Sequence, residues 1–399
     1  MNGPLVKLGD VLSIIRGITF KPNDQVEPFS EGSTIVMRTK NVQRSGLDIS
    51  DLIAIPNSFI KRDEQYLRSE DMLISSANSW ELVGKISFIE KLPANSTAGG
   101  FISIIRAKKE KVIPKYLYYW LTLEHTQVKI RNCGQKTTNI SNLNLERFKE
   151  LLIPLPSLND QRRIVSILDK AAGIRQKREQ AIKLADDFLR ATFLEMFGDP
   201  VKNPKGWNVK PLADQIAHAN NGISRRRKED ANEGDIVLRL QDVHYSGIAF
   251  NKQLNRIKLG DKEKQIARVE YDDLLFIRVN GNPNYVGRTA VFKSYLEPVY
   301  HNDHLIRIKL NNEYHSDFLC YLINSPLSRK IISRQIKTSA GQHTISQDGI
   351  LKLVFYRPPV ETQEKFIKIK NKIEAIFYRK DKHEDLFASI SNKLLHSIK

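Results

Sequence analysis

The sequence predicts a mixed α/β (α+β) chain built twice, two globular domains each followed by a long helix. Three observations carry this reading. The sequence matches itself at an offset near 200 residues, each half changes once from short β-like runs to an uninterrupted helical pattern, and both helical stretches carry an apolar period of 3.5. At 399 residues the chain also exceeds the length at which a single core stops growing.

The internal repeat rests on five matches in the same order. Ile35-Val36-Met37-Arg38-Thr39-Lys40-Asn41-Val42-Gln43-Arg44-Ser45-Gly46 lies over Ile236-Val237-Leu238-Arg239-Leu240-Gln241-Asp242-Val243-His244-Tyr245-Ser246-Gly247. Asp71-Met72-Leu73 faces Asp273-Leu274-Leu275, and Val83-Gly84-Lys85 faces Val286-Gly287-Arg288. Gly134-Gln135 and Ile140-Ser141 are expected to face Gly341-Gln342 and Ile345-Ser346, and Pro156 with Gln161 faces Pro358 with Gln363. The result is an internal two-fold pseudo-repeat.

In order, residues 1–156 form the first domain, 157–198 the first spacer helix, 199–358 a linker and the second domain, and 359–399 the second spacer helix. The domains are rich in short runs such as Lys85–Ile89 and Leu305–Ile308 between Gly, Asn, Pro and Ser turns. Shorter helices are expected near Lys115–Lys129 and Ser316–Lys330. After each proline boundary Gly and Pro become rare, with Asn159 or Asp160 as a cap for the first long helix and Gln161 in its first turn.

The 3.5 period runs through Ile369, Ile373, Ile376, Lys380, His383, Phe387, Ile390 and Leu394. Its counterpart runs through Ile167, Ala171, Ile174, Arg178, Ala181, Ala185, Phe188 and Thr192. A sustained seam of this kind predicts a coiled coil, with Arg178 and Lys380 as polar positions that set register. The alternative is two amphipathic helices packed on their own domains. About 37 residues at roughly 1.5 Å each span about 55 Å. An antiparallel pair would hold the domains apart, with Phe197-Gly198-Asp199-Pro200 and Asn203-Pro204-Lys205-Gly206-Trp207 as the junction.

Composition points to a polyanionic partner. Sixty-three Lys and Arg against 45 Asp and Glu leave a formal charge of +18, which draws nucleic acid to a soluble protein. Cys133 and Cys320 stand far apart with no metal-ligand spacing, which fits a reducing cytoplasm. The start lacks a basic segment followed by an apolar one, and no uncharged apolar run reaches membrane-spanning length.

Catalytic signatures are missing from the sequence. No Gly-x-Gly occurs, and Gly84-Lys85 is followed by Ile86, so the dinucleotide and P-loop patterns are absent. No Glu-x-Lys of a metal-dependent nuclease occurs. Asn282-Pro283-Asn284-Tyr285 is similar to the Asn-Pro-Pro-aromatic loop of amino-methyltransferases, but it lies opposite Asn78–Leu82, which has no proline, and reads as a variable recognition loop. His301-x-x-His304 lacks an evident third ligand, and Cys133 has no implied histidine partner.

The domain–helix–domain–helix duplication resembles the specificity subunit of type I restriction-modification systems. So do Ile153–Pro156 leading to Gln161-Arg162-Arg163-Ile164, the junction Met196–Pro200 with Asn203–Trp207, and Arg357–Gln363. The resemblance spans nearly the whole chain. It implies two target recognition domains, separated by two long antiparallel coiled-coil helices, each reading one half of a bipartite asymmetric DNA site. The helices set the gap and dock methyltransferase subunits, two of them, with restriction subunits joining. It also implies a non-catalytic chain without cofactors of its own: S-adenosylmethionine belongs to the methyltransferase, ATP and Mg to the restriction partner.

Base reading needs Arg, Asn, Gln and similar side chains on polar loops, and Lys and Arg on phosphates. The candidates in the first half are Arg38, Lys40, Asn41, Arg44, Asn78, Trp80, Gln135, Lys136, Thr137 and Asn139. In the second they are Arg239, Gln241, Asp242, Arg278, Asn280, Asn282, Asn284, Gln342, His343 and Thr344. Arg225, Arg226, Arg227 and Lys228 form the densest basic cluster, suited to phosphate. The two halves share scaffold residues and differ in most loop residues, so their half-sites should differ, with centres about 10 base pairs apart. The rival readings are a duplicated DNA-acting enzyme, nuclease or methyltransferase, and a coiled-coil scaffold.

Overall fold

The computed structural model describes residues 3–44, 46–136, 140–224, 233–245, 247–250, 254–311, 313–377, 389–391 and 393–395. They fall into two compact units, residues 1–179 with 380–399, and residues 180–379.

In the first unit a four-stranded antiparallel sheet runs in the order Leu12–Arg16, Ile102–Ala107, Met72–Ser75, Ile86–Phe88. Met72–Ser75 is apolar at almost every position because both of its faces are covered. Met72 and Ile74 pack with Tyr116, Leu117 and Trp120 of helix α1 (Pro114–Thr122), while Leu73 points into a cluster with Ile35, Met37 and Ala98 of a second sheet. That second sheet centres on Ser33–Met37, flanked by Ser96–Ala98 in parallel and Ile53–Pro56 antiparallel. A third, small sheet joins Ala77–Asn78, Ser141–Leu143 and Gly134–Lys136.

The second unit repeats all three sheets in the same order. Its main sheet is Ile216–Asn221, Leu305–Leu310, Leu274–Ile277, Thr289–Val291. Its second centres on Asp235–Leu238, and its third joins Val279–Asn280, Gln342–Thr344 and Lys337–Ser339. The expected helices are present, each broken in two: α1 is followed by Glu124–Asn132, and Ser316–Asn324 by Arg329–Ser333.

The repeat differs from expectation in the third sheet. Gln135 pairs with Asn142 as Lys337 pairs with Thr344, and Asn78 with Ser141 as Asn280 with His343. Gly134-Gln135 is therefore not the counterpart of Gly341-Gln342, nor Ile140-Ser141 that of Ile345-Ser346. Gly341 sits instead in a two-residue turn with Ala340, both at positive φ (75° and 47°), where the glycine similarity misleads. The capping residues agree with the corrected register: Asn144 accepts from the amides of Glu146 and Arg147, and Ser346 from that of Gly349. Gly84 and Gly287 match as expected. Each has φ +79°, and a Cβ would stand 2.6 or 2.7 Å from Ile130 or Ile332.

Helix α2 (Leu158–Phe197) is continuous over 40 residues. It is capped by Ser157, whose hydroxyl accepts from the Asp160 amide and donates to the Asp160 carboxylate, rather than by Asn159 or Asp160. Gln161 is fully buried. Its carbonyl accepts from the amide of Ile113, at the start of α1, at 2.8 Å, and its amide donates to Pro156 at 2.9 Å. In the second unit, with α3 (Ser316–Asn324) and α4 (Val360–Phe377), Gln363 repeats both contacts, accepting from His315 at 2.9 Å and donating to Pro358 at 2.8 Å.

Within each unit the stripe that packs on the domain is a different one from the 3.5-period seam. Ile174, Phe188 and Ile376 are exposed, while Ile167, Ala171, Arg178, Ile369 and Ile373 are half-buried. Ile164 and Leu168 pack into the first domain, and Leu189, Phe193 and Phe197 are buried in the second unit. Steps of four follow the 3.6-residue turn of a straight helix against a globular surface, which a 3.5 period drifts off. Lys380 and Phe387 lie outside the described residues. Ile390, Leu394 and buried Leu395 pack on the first domain's core, in the same role that Phe193 has in the second.

One ion pair is inverted between the halves. Lys115 meets Glu90 at 3.4 Å, and at the matching place Asp317 meets Lys293 at 2.8 Å. Both partners changed sign together, which marks the contact as one the scaffold uses. Gln161→Leu would leave the Ile113 amide buried without an acceptor and should cost about 1–3 kcal/mol, read as a lower denaturant midpoint. An unchanged midpoint would contradict the role given to Gln161.

Candidate nucleic-acid interface

Backbone pairing gathers polar loops at one end of each domain. In the first, the Gly99 amide donates to Met37 at 2.9 Å, and Phe101 accepts from Ser76 at 2.9 Å and Ala77 at 3.3 Å. Asn78 pairs with Ser141. Segments 38–44, 76–80, 99–101, 134–136 and 140–143 therefore adjoin. In the second, Asn302 donates to Leu238 at 3.0 Å, Arg278 to His304 at 2.8 Å, and Asn280 pairs with His343, which joins 239–245, 278–284, 302–304 and 337–344.

Several predicted contact residues instead build these loops. Asn41 is buried; its side chain accepts from the Arg38 amide at 2.8 Å and donates to Asp48 at 2.8 Å and Asp51 at 3.0 Å. It organises the turn, and its buried side chain does not face a base. Asp242 plays the matching part, accepting from the Arg239 amide at 2.8 Å. Arg38 and Lys40 both pair with Asp51. The Asn78 side chain caps the Ser79 amide, and Trp80 lies over Gly134. Asn280 accepts from the Asn282 amide and Asn282 from that of Asn284, a ladder that shapes this loop.

Arg44, Gln135, Gln241, Asn282 and Gln342 are exposed at this edge. Arg278 is half-buried and donates to the Asp303 carbonyl at 3.1 Å. His343 lies 2.8 Å from the Thr338 hydroxyl, and Thr344 pairs with Lys337. Thr137, Asn139, Arg225, Arg226, Arg227 and Lys228 lie outside the described residues, as does the side chain of Lys136.

Residues that sequence reading missed also stand here. Phe101, 63% exposed, sits at the edge between Gly99-Gly100 and the next strand, where His304 stands in the second domain. The Arg288 guanidinium lies between the rings of Tyr245 and Tyr285, 4.0 and 4.3 Å from their centres. Its match to Lys85 was visible, but the two rings come from loops that no sequence pattern joins. The two histidines of the His301-x-x-His304 pattern do not converge: His301 is buried with Nδ1 2.9 Å from the Ala267 carbonyl, while His304 is exposed. Among the described residues no cluster of potential metal ligands is found, and no helix is long and apolar enough to cross a membrane.

Two repeated domains each present a polar multi-loop edge on a common scaffold. Residues 5–184 match the family described as type I restriction modification DNA specificity domain. The chain is 29% identical over 380 residues to the type I restriction enzyme StySPI specificity subunit of Salmonella potsdam, covering 92% of this chain and 80% of that one. It is 24% identical over 387 residues to the EcoKI specificity subunit of Escherichia coli K12, covering 94% and 82%. The crystal structure of the S subunit of a type I restriction-modification system from M. genitalium superposes with a TM-score of 0.60 at 16% identity, covering 100% of this chain and 96% of that one. Over most of its length the chain is thus similar to type I restriction enzyme specificity subunits.

Burial pushes the His301 imidazole down to about 4. The folded chain thus keeps it neutral while an unfolded histidine protonates near 6.5. Its contribution is complete above pH 6.5 and is lost as pH falls toward 4, by about 3 kcal/mol. A denaturant-midpoint profile should fall over this window in the wild type and be flatter in His301→Gln; identical profiles would contradict the assignment.

Proposed function

We propose that this chain is the non-catalytic DNA-recognition subunit of a type I restriction-modification complex, each domain reading one half of a bipartite, asymmetric DNA site. The observation that carries this is the pairing of a repeated scaffold with unlike loop edges: Phe101 against His304, Asn78–Ser141 against Asn280–His343, and Arg44 against Tyr245. A scaffold held constant beneath changed polar loops is what two different base sequences require. Its charge of +18 supplies the phosphate attraction.

Residues 1–156 and 199–358 serve as the recognition domains, and 157–198 and 359–399 as helices that pair antiparallel, set the gap between half-sites and dock two methyltransferase subunits. Restriction subunits complete the complex. S-adenosylmethionine is carried by the methyltransferase, and ATP and Mg by the restriction partner; the assembly works in the cytoplasm. Gln135, Gln241, Asn282 and Gln342 are the side chains best exposed for base edges.

Mapping N6-methyladenine in cells that express this chain with its methyltransferase should give one gapped, two-part motif that disappears when this gene is deleted. A motif that survives deletion would refute the reading. Replacing Arg225–Lys228 by serine should weaken binding to all sequences and lower the salt slope by up to about 4. A changed sequence preference with the same slope would remove them from the phosphate contacts.

A further inference from the structure

The second recognition edge contains a device that the first lacks. Tyr245 is carried by the hairpin of Val243–His244 and Gly247–Ile248, and Tyr285 by the loop between Val279–Asn280 and Gly287. Arg288 lies between them and bridges the two. A guanidinium face on each ring is a cation–π contact that lysine reproduces poorly, because only the flat fork stacks on both sides. From behind, Arg329 donates to the carbonyls of Val286 at 2.8 Å and Pro283 at 2.9 Å, so the loop bearing Tyr285 is held at both ends.

Among the described residues neither Arg288 nor Arg329 has a carboxylate within 4 Å. Tyr245 and Tyr285 nevertheless remain 56% and 41% exposed, on the surface that also holds Asn280 and Asn282. At the matching positions the first domain has Arg44, Leu82 and Lys85, and Lys85 there donates to Gln43 at 3.2 Å instead of stacking. The hairpin of the first domain is fastened differently, by the Ser87 hydroxyl on the carbonyls of Gln43 and Gly46.

We infer that Arg288, stacked between Tyr245 and Tyr285, is a positioning residue that fixes the recognition loops of the second domain and thereby the base preference at one half-site alone. This rests on the proposed role of the chain in reading a two-part site. The stack ties the hairpin to the asparagine loop, so the base-reading side chains of both move as one body. Without it, the loop remains anchored by Arg329 and the domain stays folded, but the loops no longer hold a single geometry.

The test uses the complex of the full chain with its methyltransferase subunits and compares methylation of targets carrying each single-base change in either half. The wild-type complex must first yield a two-part motif; if it yields none, the reading of function fails, and not this inference. Given that motif, Arg288→Ala should lower discrimination about tenfold in one half and leave the other half unchanged. Tyr285→Leu, the residue of the first domain, should reproduce the loss, whereas Tyr285→Phe keeps the ring and should keep discrimination. Unchanged discrimination in Arg288→Ala, or an equal loss in both halves, would overturn the inference. So would a loss in Tyr285→Phe equal to that of Tyr285→Leu.

Discussion

The structure depends on one repeated constraint, a buried glutamine at the start of each long helix. Gln161 and Gln363 each accept the amide of the residue that begins a domain helix and donate to a carbonyl at the proline boundary. A glutamine amide without partners is costly to bury, and three polar groups must meet at one point for it to be satisfied. The helix can therefore leave its domain in only one direction. A hydrophobic residue at this place would pack but would not select that geometry, since apolar contact is not directional. The same fastening occurs at an offset of 202 residues, so the two halves present their helices alike.

Around that fixed point the molecule separates what is held from what varies. The main sheets repeat strand for strand, and the Lys115–Glu90 contact survives with its charges exchanged as Asp317–Lys293. Phe193 and Phe197, at the end of α2, pack on the core of the second unit, and Leu395 packs on that of the first. The loop edges share backbone pairing but not side chains. Their turns are held by Asn41 in one half and Asp242 in the other, which leaves neighbouring positions free to change without unfolding the loop. Separate control of scaffold and loop chemistry is the physical basis on which the proposed two readers would take different targets.

Much of this was legible in the residues. Length, the ordered matches, the turn from period 2 to a helical pattern and the Pro-to-Gln boundaries give two α/β halves and long helices, because burial and backbone hydrogen bonding act locally and leave periodic traces. Two readings failed where tertiary context decides. Gly341 resembled Gly134 in identity but fills a turn that demands positive φ, and Ser157 capped α2 in place of the residues that follow it. Within each unit the residues that pack on the domain follow steps of four, and Ile174 and Phe188 of the 3.5 period stand apart from them. At the recognition edge the segments were legible and the individual side chains were not. Nothing in the order of residues distinguishes Asn41, which organises a turn, from an asparagine that faces a base, or brings Tyr245 to Arg288 across some forty residues of chain.

The central claim is that the two halves are interchangeable scaffolds whose loops alone set the target. Replacing residues 3–156 by a second copy of 205–358, the same span at the 202-residue offset, puts this to the test, with N6-methyladenine mapped for the assembled complex. The account predicts that the motif becomes an inverted repeat of one existing half, with the other half lost. Retention of the original asymmetric motif would contradict it, as would a folded, assembled complex that reads no two-part site.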